Sequence, residues 1–261
     1  AVKDMMRIQT IAPVSTSISV TNPTVLDADV KVAISGTPAV YAGVTEMSET
    51  LADEIVYQIN NKIIDPYTEA LNFEGKASEF PVKNAGTQLE PGTEYALWVV
   101  PVIEGKETYS EADIISETFS TKSIVAGGTI ETTISDFTAT ASSLTAQITS
   151  EDAALIYYTF MSEEDGKWYS TASNEIRMSK ILASESCVTV RGNSAEAAIT
   201  GIRPEATRWL YAVAVGQDGL YGEVVCKSGT TGKVSFNSLT LEIESLGVGS
   251  DEASFQVTVT N

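Results

Sequence analysis

A chain of 261 residues with 43% apolar composition can fill two cores of ordinary size, because a typical domain runs to roughly 100–150 residues. Sixteen basic against thirty-five acidic side chains leave a net charge of −19, which repels phosphate backbones and anionic headgroups and argues against nucleic-acid or membrane-surface binding. There is no His, which removes the usual general base, the commonest metal ligand and every Ser-His or Cys-His nucleophile pair.

No stretch approaches the ~18 apolar residues of a membrane span, so no membrane insertion by this fragment is expected. The N-terminus lacks a charged-then-apolar leader pattern. Two cysteines, Cys187 and Cys226, make neither a disulfide framework nor a zinc site. Either they form one bond or they are two small buried hydrophobes.

Taken in order, the chain repeats its landmarks at about the length of one domain. The opening Asp4 to Pro13 resembles the end of a module, so residues 1–13 are expected to be the last strand of a preceding unit. Complete modules are then expected at 14–123 and 124–232, and 233–261 supplies the first strands of a further, incomplete one. Val30–Ile34, Leu144–Ile148 and Phe255–Val259 alternate core-type with mostly polar residues, the period-2 mark of a half-buried strand. Glu117–Lys122 and Val225–Thr231 read as closing strands that run into joints.

A short aromatic-rich strand follows in each module, at Ala39–Val44 and Leu155–Phe160, and an insertion comes after it. In the first insertion Leu51, Ile55, Ile59 and Ile63 recur every four residues, one stripe of an amphipathic helix capped by Ser48 or Thr50 and stopped at Pro66. In the second, Ile176, Lys180, Ile181 and Leu182 give a shorter stripe with Ser173 or Asn174 as cap. Further on, Tyr95, Leu97, Val99 and Pro101 share one strand face, while Trp98, Val100 and Val102 make the other face equally apolar. A solvated outer face does not favour that pattern. The inserted helix is expected to cover it.

Leu89, Pro91 and Tyr95 define a corner: Pro91-Gly92 turns the chain, and Tyr95 enters the core while its hydroxyl bonds back to upstream backbone. The second module keeps Ile202 and Pro204 but has Trp209 where the tyrosine falls, so either an indole N–H replaces the phenol or the corner is rebuilt. This pattern resembles the fibronectin type III fold. With the helical insertions and Gly-containing turns, it is similar to the divergent fibronectin type III-like repeats of surface lipoproteins and secreted proteins of Bacteroidetes-type gut bacteria. The resemblance implies a mainly β chain of tandem sandwiches, each with a short helical insertion, and leaves function open.

Glu163-Glu-Asp165-Gly-Lys and Gln217-Asp-Gly219 are read as solvated turns, since neither has the spacing of a calcium loop. No metal, no cofactor and no catalytic set is expected. Trp168 and Tyr169 stand in a polar insertion, where aromatic faces can stack on sugars or anchor a protein. The competing reading folds them back over the sheet beside Tyr157 and Tyr158. The expected function is a non-catalytic extracellular array, a spacer or presentation and adhesion scaffold of a bacterial surface protein. Adjacent modules of the same chain are the expected partners. The alternative is a glycan- or protein-binding accessory module attached to an enzyme outside this fragment.

Overall fold

The computed structural model describes residues 13–68, 72–80, 88–234, 240–248 and 253–260. The first sandwich is built from β1 (Ser15–Thr21), β2 (Asp29–Ser35), β3 (Val40–Glu46), helix α1 (Leu51–Asn60), β4 (Asn72–Lys76), β5 (Glu94–Pro101) and β6 (Ile115–Ser120). Its sheets run β1-β2-β4 and β3-β5-β6, antiparallel throughout. Alternation places Val30, Val32 and Ile34 of β2 against Tyr95, Leu97 and Val99 of β5. These residues form the inter-sheet core.

The second face of β5 is covered as its composition requires. Leu51, Ile55 and Ile59 of α1 pack on Ala96, Trp98 and Val100 in a separate apolar layer. Gly43 stands across the register from Trp98, and a Cβ there would come within 2.7 Å of the indole. The helix is shorter than its stripe: it ends at Asn60, Lys62 takes a left-handed φ of 56°, and Ile63 is exposed. Bonds from Asn61 and Lys62 to Tyr57 O and Ile59 O close the last turn before Pro66 is reached. Thr50 occupies the N-cap position, but its hydroxyl donates to Glu54 rather than accepting from the backbone.

The second sandwich comprises β7 (Val125–Ala126), β8 (Thr133–Ile134), β9 (Thr138–Ala139), β10 (Ser143–Thr149), β11 (Ala153–Met161), α2 (Glu163–Tyr169), α3 (Asn174–Leu182), β12 (Val188–Arg191), β13 (Ser194–Thr200), β14 (Thr207–Gly216), β15 (Leu220–Tyr221) and β16 (Val225–Thr230). One sheet is ordered β13-β10-β8 with β9 also on β10; the other is β12-β11-β14-β15-β7 with β16 on β14. Ile148, Ile156, Leu210 and Ala212 fill the space between them. The β8-β10-β13 and β11-β14-β16 orders match the two sheets of the first sandwich, with β12 and the β15-β7 pair added, which makes the chain a mainly β tandem with a fibronectin type III-like arrangement.

Two expectations need correction in the second insertion. Glu163 to Lys167 is not a loop but the start of α2, because the Ser162 hydroxyl accepts from Asp165 N and three carboxylates lie in the first turn, favoured by the helix dipole. In α3 the buried pair is Met178 and Ile181, three apart, while Ile176 and Leu182 are exposed. The helix is too short to bury the wider stripe. Ser173 caps it as expected, accepting from Ile176 N.

Cys187 and Cys226 are free thiols. Val188 pairs with Tyr158, so Cys187 lies alongside Thr159, which pairs with Tyr211, which pairs with Cys226. Three strand spacings of about 4.8 Å separate them, well beyond the ~7 Å that a disulfide tolerates.

β17 (Thr240–Val248) and β18 (Ala253–Thr260) form an antiparallel hairpin with Ile243, Phe255 and Val257 exposed. The strand expected at Phe255–Val259 lies within β18. The strand expected within residues 1–13 lies outside the described residues, apart from Pro13.

Candidate functional site

The corner around Tyr95 forms as the sequence indicates. Glu90 N donates to the Tyr95 hydroxyl at 2.8 Å, Leu89 is fully buried, and Gly92 turns the chain at φ 64°. Tyr95 also stacks on Phe119 with ring centroids 5.8 Å apart. A second pin was not read from the sequence. Thr121 Oγ1 accepts from Thr93 N and donates to Glu90 O, tying the closing strand to the turn.

In the second sandwich Thr231 does this alone: its hydroxyl accepts from Ala206 N at 2.9 Å and donates to Arg203 O at 2.8 Å. Thr121 N bonds Thr93 O and Thr231 N bonds Ala206 O, so the position matching Tyr95 is Arg208. Trp209 takes no part in the corner. Period-2 alternation puts its ring on the outer face, against Gly166 of α2. Ile202 remains buried with Leu144 and Ala206, and Pro204 is exposed in the turn, followed by Glu205 at φ 55°.

The corner of the first sandwich also faces the second. Arg191 Nη2 donates to Leu89 O at 2.8 Å and to Glu90 Oε1 at 2.7 Å. Val25, in the turn between β1 and β2, is fully buried in the apolar cluster of Leu155, Tyr157, Val213 and Val215, with Leu26 and Ile124 packed beside it. Val25 N donates to Gln217 O, Lys122 N to Thr24 O, and Val125 N to Gly219 O. The linker strand β7 then pairs in parallel with β15. Gly219, at φ 80°, lies so near Ser123 O that a Cβ would stand 2.4 Å from it.

Sequence reasoning missed this joint. Its one visible signal is Val25-Leu26, two large apolar residues set between Thr24 and Asp27 in the turn between strands.

Trp168 and Tyr169 touch but differ in burial. Tyr169 is half-buried in the cluster that holds Tyr157, and the Lys180 ammonium lies 5.2 Å from its ring. Tyr158 faces the sandwich core on the opposite side. Trp168 is 64% exposed and meets Tyr169 edge-on at 4.6 Å. Folding back therefore describes Tyr169, and the free aromatic face belongs to Trp168.

Burial pushes the hydroxyls of Tyr157, Tyr158, Tyr211 and Tyr221 above the usual tyrosine range. The Tyr211 hydroxyl donates to Gly166 O beneath α2. Among the described residues no three His, Cys, Asp or Glu side chains lie together as a metal site.

No family model matches the sequence and no curated protein matches it. The chain is similar to a two-domain fibronectin type III segment of chicken tenascin at 11% identity and a TM-score of 0.26, covering 83% of this chain and 100% of that one. It is also similar to the FN1–FN3 domains of chicken CNTN1 at 9% identity and a TM-score of 0.27, covering 84% of this chain and 67% of that one.

Proposed function

We propose that the chain is a non-catalytic tandem array that acts as a spacer or presentation scaffold in a bacterial surface or secreted protein. The observation that carries this reading is the joint. Linked domains move independently by default unless an apolar interface holds them. Here Val25 is buried in its neighbour's cluster, Arg191 holds Glu90, and the linker itself is hydrogen-bonded as β7. A spacer transmits position only if its units do not swing.

Within this reading residues 14–123 and 124–232 are the complete modules, and 1–13 and 233–261 belong to neighbouring units. An extracellular, outer-membrane-anchored or secreted location follows from the resemblance to surface repeats. Backbone ¹⁵N relaxation on the full chain tests the proposal. One rotational correlation time shared by both sandwiches is expected, and independent tumbling would remove the reading.

The exposure of Trp168 favours a second reading, a glycan- or protein-binding accessory module that serves an enzyme outside this fragment. A glycan array probed with the chain and with Trp168→Ala separates the two. Binding lost on substitution supports the accessory module; no binding, or binding indifferent to the change, removes its glycan form.

A further inference from the structure

We draw no further inference here: the strongest candidate, the apolar face of the β17–β18 hairpin on which Ile243, Phe255 and Val257 stand exposed, carries nothing because nothing in the structure shows what covers it.

Discussion

Arg191 of the second sandwich holds Glu90 of the first, Nη2 to Oε1 at 2.7 Å, and the same nitrogen bonds Leu89 O. The residue that carries the corner of one sandwich is thus also the anchor of its neighbour. The Arg191 and Glu90 side chains are 34% and 65% exposed, so the pair is screened by solvent. A double-mutant cycle of Arg191→Ala and Glu90→Ala should give a coupling of about 0.2–1 kcal/mol. Because Val25 stays buried, Arg191→Ala alone should widen the inter-module motion seen by relaxation without unfolding either sandwich.

The two corners are built differently and should fail differently. Tyr95→Phe removes one bond, from Glu90 N, at the edge of the first sandwich. It should cost on the order of 1 kcal/mol there and nothing in the second. Thr231 is 3% exposed and serves Ala206 N and Arg203 O together. Thr231→Val strands both, so it should destabilise the second sandwich by about 1–3 kcal/mol. Urea unfolding followed by residue-resolved amide signals assigns each loss to its sandwich; equal effects in both would contradict the separate corners.

Alternation made the strands legible, since a half-buried strand writes its two faces into every second residue. The doubly apolar face of Trp98 and Val100 even announced α1 as its cover. The Tyr95 corner was legible because its turn and ring lie within seven residues. Trp209 was not, because matching a proline to an aromatic across an extra residue ignored which strand face each position occupies. The joint stayed hidden for another reason. It assembles residues far apart in sequence, such as Val25 with Gln217 or Glu90 with Arg191, and no local period records such meetings.

Alkaline pH should act mainly on the second sandwich. Burial raises the hydroxyl pKa of Tyr157, Tyr158, Tyr211 and Tyr221 there, against Tyr41 in the first. A raised folded-state value means the folded chain keeps a proton that the unfolded chain releases. The stability is therefore fully present below the unfolded value of about 10 and is lost as pH rises toward the folded values. The denaturation midpoint of the second sandwich should fall above about pH 10 while phenolate absorbance lags, and Tyr211→Phe should flatten that fall. A first sandwich that lost more than the second would contradict this assignment.

Gly166 sets two known effects against each other. Alanine in a helix interior is favoured over glycine by about 1 kcal/mol, which taken alone predicts stabilisation. A Cβ at Gly166 would stand 2.2 Å from Cγ and 2.3 Å from Cβ of Trp209. The second of these is the root of the side chain and cannot swing aside. Relief requires α2 to lift, which also breaks the bond from the Tyr211 hydroxyl to Gly166 O. Overpacking of this kind costs about 1–3 kcal/mol, and the lost buried bond adds to it, so the steric effect wins. Gly166→Ala should destabilise the second sandwich by about 1–3 kcal/mol in urea unfolding. Lys167→Ala, on the exposed side of the same helix, should stay within about 0.5 kcal/mol of the parent. A stabilised Gly166→Ala would mean that α2 does not rest on Trp209.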